Sequence, residues 1–182
     1  MAIVLLVLLV LVALWVMGAY NGLISLKNQV LNAWKQIDVQ LKRRHDLIPN
    51  LVNTVKGAME FERGTLEAVI SARAKALSAT GVAATAKAEG ELTQAVGKLF
   101  ALAENYPELK SSANVLQLQE ELGGTENKIS FARQLYNDTA TQYNTKQAQF
   151  PTNLVAGLAK ASPAELWQIT DEGERAVPKV QL

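Results

Sequence analysis

The sequence predicts an all-α protein in which an N-terminal transmembrane helix continues into an antiparallel bundle of long helices, followed by an extended C-terminal tail. Three observations carry that expectation. No charged side chain occurs before Lys27, apolar residues then recur at helical spacing, and no period-two apolar run long enough for a sheet appears. A chain of 182 residues suits one domain plus an anchor, because globular units run to about 100 to 200 residues. The expected divisions are residues 1–20 as anchor, 21–150 as helical bundle and 151–182 as tail.

The anchor is AIVLLVLLVLVALWVMGAY, from Ala2 to Tyr20. As a helix it is about 28 Å long, close to the hydrocarbon thickness of a bilayer. Val and Ile are moderate helix formers in water, but lipid forces every backbone amide to bond internally. Trp15 and Tyr20 sit near one end, where amphipathic rings prefer the membrane interface. A cleaved signal peptide is the competing reading. Against it, no Lys or Arg precedes the run, the run exceeds an ordinary signal core, and no small-x-small cleavage site follows. The basic residues Lys27, Lys35, Lys42, Arg43 and Arg44 all follow the span. Positive residues stay cytoplasmic, so the expected orientation has the N-terminus outside and the bundle in the cytoplasm.

Beyond the anchor, Leu23, Leu26, Val30, Trp34, Ile37, Leu41, Ile48, Val52, Val55, Met59, Leu66, Val69 and Leu77 read as one stripe on one long helical face. Pro49 interrupts it without shifting its phase. That predicts a kink or very short break, or else a helix that restarts with Pro49 in its first turn. A second helix is expected over 86–105, ending at Tyr106-Pro107 because the residue before proline is pushed out of the α region. A third starts near Glu108 and carries Leu122, Ile129, Tyr136, Tyr143 and Phe150 at intervals of seven, a coiled-coil-like register. Gly123-Gly124 does not break that register, so the helix is expected to continue through it and to end at Pro151. The tail then carries Gly157, Pro163, Gly173, Pro178, the single aromatic Trp167 and the extended end AVPKVQL. It is expected to lie loosely on the bundle, or to act as a peptide that a partner captures.

Chemistry is narrowly bounded. The chain has no cysteine, which excludes disulfides, thiolate metal sites and a cysteine nucleophile, and its one histidine is His45. Neighbouring Asp46 points elsewhere on a helix and is a poor orienter, so His45 reads as a surface or salt-bridge residue. Glu60 with Glu62, and Glu120 with Glu121, lack the ExxH spacing of a carboxylate metal site. No nucleotide-binding, zinc-protease, hydrolase or calcium-loop motif is present. No catalytic residue, metal or cofactor is therefore expected, and the chain reads as non-enzymatic. The Lys42, Arg43, Arg44 run lies about 33 Å beyond the span on a straight helix. Acids outnumber bases after Lys75, so nucleic acid is not an expected partner. Arg43, Arg44, Pro49 and Asn50 form the one local cluster that reads as a polar hinge or contact surface, the plainer alternative being a stabilised kink with exposed arginines.

The chain resembles the LemA family of bacterial membrane proteins through YNGLISLKNQVLNAWKQIDVQLKRRHDLIPNLVNTVKG from Tyr20, YPELKSSANVLQLQEELGGTENKISFARQLYN from Tyr106, and YNTKQAQFPTNLVAGL from Tyr143. These stretches occur in order over nearly the whole sequence. The resemblance implies a transmembrane N-terminal helix, a helical bundle and no transferable catalytic residues. It also implies links with membrane organisation, including magnetosome membranes, and with membrane proteases. The stretch KASPAELWQ departs from the more aromatic segment usual in the family, so family-typical tail packing is not carried over.

Two functions follow as expectations. In the first, membrane lipid holds residues 2–20 and copies of the chain associate into a homo-oligomer that scaffolds or shapes the membrane. In the second, the bundle or tail is an adaptor for a membrane protease or signalling partner.

Overall fold

A computed structural model describes residues 1–59 and 62–168 of the chain. Its elements are α1 (Ala2–Lys56), α2 (Arg63–Ser78), α3 (Val82–Ala103), the single turn α4 (Pro107–Lys110), α5 (Ala113–Ala148) and the single turn α6 (Asn153–Ala156). Among the described residues there is no strand. The fold is a helix bundle with a long apolar N-terminal helix. Residues 169–182, which include Gly173, Pro178 and the AVPKVQL end, and Glu60 lie outside the described residues.

The chain forms two compact units. One comprises Met1–Gln36 and Ala132–Leu166; the other is built on Ile37–Phe131.

In the second unit, the latter part of α1, α2, α3, α4 and the start of α5 share one core, with Ile48, Leu51, Met59, Val69, Leu92 and Leu99 almost completely buried. The single long stripe expected from Leu23 to Leu77 is in fact two. α1 stops at Lys56, the chain turns at Gly57, and α2 begins at Arg63, while Leu77 is exposed. Because Val55, Met59 and Leu66 all face the core across that reversal, the apolar period survives the turn and conceals it. The next turn needs Gly81, whose φ of 85° is costly for any residue with a Cβ. α3 accordingly starts at Val82, ahead of the expected residue 86. Tyr106 is extended, as its place before Pro107 requires, and its hydroxyl donates to Glu62 at 3.3 Å, tying the α3–α4 connection to the start of α2.

Pro49 neither ends nor restarts α1; the helix runs through it. α5 likewise continues through Gly123-Gly124.

In the first unit, Trp34 of α1 meets Tyr136 of α5 edge to face, with ring centroids 5.5 Å apart. Leu26 shares a shallow groove with Thr141, Thr145 and Gln149, so the two helices run antiparallel here. Tyr136 and Tyr143 are buried on the expected heptad face, but Phe150 is not. α5 ends at Ala148, so the seventh-residue register no longer points Phe150 inward. The described part of the tail is held firmly, contrary to the loose packing expected of it. Asn144 donates its Nδ2 to the carbonyl of Ala164 at 2.8 Å and accepts from the Ala164 amide at 2.7 Å. The hydroxyl of Tyr136 donates to the carbonyl of Glu165 at 2.7 Å. Thr152, Val155 and Ala159 are buried as well.

Residues 3–15 of α1, with Met17 beyond them, form an uninterrupted exposed apolar surface, and the most apolar 18-residue window of this helix has a mean hydropathy of 3.0. That stretch is long and apolar enough to cross a membrane. Trp15 and Tyr20 lie at its end, both partly exposed.

Candidate functional site

The densest polar arrangement among the described residues is a buried ion-pair network in the second unit, and it grows out of the RRHD segment of α1. Arg44 and His45 fall on the inward side of the helix, 4% and 6% exposed. Arg43 and Asn50 face solvent, and Pro49 is half-buried. The cluster read from sequence therefore divides, with Arg44 turned into the core where exposed arginines were one expectation. His45, expected at the surface or in a salt bridge, is buried and meets a carboxylate, that of Glu89.

Both meet Glu89 of α3, whose side chain is fully buried. His45 Nε2 lies 2.6 Å from Glu89 Oε1. An ionised carboxylate only accepts, so this contact places a proton on Nε2. Arg44 Nη1 lies 3.5 Å from the other oxygen of Glu89 and 2.9 Å from Oε2 of Glu126 on α5, a partly exposed carboxylate. Arg44 Nη2 donates to Thr93 Oγ1 at 2.8 Å, and that hydroxyl donates back to the carbonyl of Glu89 at 3.0 Å. Taking a lone carboxylate out of water costs several kcal/mol, and here the Arg44 guanidinium and the short contact with His45 Nε2 offset it.

α2 joins through the backbone. Arg73 donates its Nε to the carbonyl of His45 at 2.8 Å. Three helices thus converge on two adjacent residues of α1. The arrangement orients an imidazole and ties α1 to α2, α3 and α5. Its enclosure leaves His45 poorly placed to reach a substrate, since a general base must come within hydrogen-bond reach of the proton it takes. Among the described residues no group of three or more His, Cys, Asp or Glu could hold a metal ion.

Glu89 and Glu126 were missed in the sequence. For Glu89 a signal existed: Thr85, Glu89, Leu92, Val96, Leu99 and Ala103 are spaced by four and three, which sets a carboxylate on the core face of α3. Glu126 carries no such mark, because its position follows from the packing of α5 beside α1.

The family model described as LemA family matches residues 33–182. The chain belongs to the LemA family. Among curated relatives it is similar to Protein LemA of Metamycoplasma hominis, 33% identical over 141 residues, covering 76% of this chain and 64% of that protein. It is also similar to Magnetosome protein MamQ 1 and MamQ 2 of Paramagnetospirillum magneticum, each 23% identical over 189 residues, covering 90% of this chain and 70% of the relative. The chain thus spans just under two thirds of the length of the Metamycoplasma LemA protein. The family match begins at residue 33, so it covers Arg44, His45, Glu89 and Glu126 and leaves out the apolar start of α1. Membership of the LemA family and the apolar helix agree on a membrane-associated protein.

Proposed function

We propose that this LemA-family chain is a non-enzymatic bundle protein, anchored in the bacterial inner membrane by α1, that self-associates to scaffold or shape that membrane. The carrying observation is the exposed apolar surface formed by residues 3–15 and Met17 of a helix whose later residues belong to a bundle core. Such a surface is stable only when lipid or another chain covers it. The basic residues beyond the span favour a cytoplasmic bundle with the N-terminus outside. Leu31 and Val39 on α1 and Leu116 and Phe131 on α5 remain exposed, offering apolar surface for a second copy. The two relatives described as magnetosome proteins support a role in membrane organisation. The adaptor reading is less favoured, because residues 164 and 165 of the tail already use their backbone groups in bonds to α5.

The test is sedimentation of detergent-solubilised full-length protein over a range of concentrations. Self-association predicts a defined oligomer that persists on dilution; a monomer throughout overturns it. The orientation is tested by a C-terminal reporter that is active only outside the cytoplasm, and activity there would reverse it.

A further inference from the structure

The segment after α5 is apolar on two sides. Thr152, Val155 and Ala159 are buried, while Phe150, Leu154 and Leu158 are 79%, 68% and 71% exposed. The chain is close to helical here: the amide of Asn153 donates to the carbonyl of Gln149, and that of Ala159 to Val155. Residues four apart therefore share a side, and the outer side carries only Phe150, Leu154 and Leu158 as large groups. No acidic side chain occurs from Phe150 to Lys160.

Its location within the first unit gives this strip a neighbour. Gln149 lines the same groove as Leu26, and Leu26 lies six residues beyond Tyr20, or about 9 Å along α1. The reversal of the chain after α5 thus falls within about two helical turns of the end of the apolar span. An exposed aromatic and two leucines beside an interface are suited to the headgroup boundary, where apolar side chains enter while the backbone stays near water. Lys146 in the last turn of α5 and Lys160 supply positive charge on either side of the strip.

We propose that Phe150, Leu154 and Leu158 insert into the bilayer interface beside the end of α1, giving the protein a second point of contact with its membrane. The proposal rests on the reading of α1 as a membrane anchor. The bilayer is favoured over a protein partner because the strip directly follows Gln149, whose groove with Leu26 lies about 9 Å along α1 from the end of the apolar span.

The natural absence of cysteine makes the test clean. Single variants Leu154→Cys, Leu158→Cys, Leu135→Cys and Leu14→Cys of the full chain, each labelled with an environment-sensitive fluorophore, are reconstituted into phosphatidylcholine–phosphatidylglycerol vesicles. Some lipids carry a spin label at the headgroup, others deep in the acyl chain. Leu135 is the reference, because it lies about 20 Å further from the span along α5. The expected result is blue-shifted emission at 154 and 158, quenched several-fold more strongly than at 135 by the headgroup label. Water-like emission at 154 and 158, with free access to aqueous iodide while position 14 is quenched from the acyl chain, overturns the insertion and leaves the anchor standing. Failure of both quenchers at position 14 overturns anchor and insertion together. Shielding of 154 and 158 from iodide without any quenching from lipid assigns the strip to a protein neighbour and also overturns the proposal. Matching helical content across the four proteins excludes misfolding as the cause.

Discussion

Arg73 donates its Nε to the backbone carbonyl of His45 at 2.8 Å, and that carbonyl is the one Pro49 leaves without its helical partner. In an uninterrupted α-helix the amide four residues on would fill it, but proline has none. A side chain of α2 therefore completes the hydrogen bonding of α1, which explains how the helix passes through Pro49 without ending. Replacing Arg73 by Ala leaves a carbonyl in the interior unpaired and should cost about 1–3 kcal/mol. In a Pro49→Ala background an amide returns to position 49, and the same replacement should cost about 1 kcal/mol less. A denaturant double-mutant cycle measures this, and equal costs in both backgrounds would show that Arg73 does not stand in for the missing amide.

The two carboxylates around Arg44 should behave differently. Glu89→Ala strands an arginine and a histidine in the core and is expected to cost about 3–5 kcal/mol, whereas Glu126→Gln, at a partly exposed site, should cost under about 1 kcal/mol. Unfolding midpoints of the two variants give the comparison. A Glu126 variant as damaging as the Glu89 variant would mean that the outer carboxylate anchors Arg44.

Asn144 fixes the described tail by pairing with both backbone groups of Ala164. Its replacement by Ala removes two hydrogen bonds at about 1 kcal/mol each. Limited proteolysis should then cut within 161–168 well before it cuts α5. Unchanged protection would mean that burial of Val155 and Ala159 holds the segment by itself.

Stability should fall at high pH through Tyr136. Burial, and then the nearby Glu165 carboxylate, raise its phenol above the ordinary value of 10.0. The folded state therefore holds this proton more tightly than the unfolded chain. The associated stability is complete below about pH 10 and is lost as pH rises from there through the higher folded value. Tyr136→Phe should show a shallower loss of stability between neutral pH and pH 11 than the parent. Parallel curves would assign the alkaline loss to other groups, Tyr143 among them, whose phenol burial also raises.

The apolar pattern made the helices legible and left their reversals obscure. Helical spacing marked Val30, Ile37, Ile48 and Val52 as core, and all four are buried. It failed at Gly57, because a turn of the right length returns the apolar residues to the same phase, and at Phe150, because a heptad count has no knowledge of where the helix stops. The ion-pair network was half visible. Arg44 stood out within the polar cluster of Arg43, Pro49 and Asn50, and His45 as a surface or salt-bridge residue, but a charge on a buried face looks the same in sequence as one on a solvated face until its partner is known. Glu89 could have been found as the polar member of an otherwise apolar row; Arg73 could not, since its acceptor is a backbone carbonyl that bears no side-chain signature.

The ring pair Trp34 and Tyr136 belongs to a unit whose two halves are separated in the chain by the whole of Ile37–Phe131. Closing so wide a loop in an unfolded chain is entropically costly, whereas the α2–α3 hairpin closes across a few residues. The economical order of assembly is therefore from the inside outward: the intervening segment condenses first and shortens the gap, and only then do Trp34 and Tyr136 meet. Pulse-labelling of refolding chains should find the indole of Trp34 among the last groups to be shielded. Any lesion that slows the inner segment, at Glu89 for instance, would then delay the closure of a unit it does not belong to.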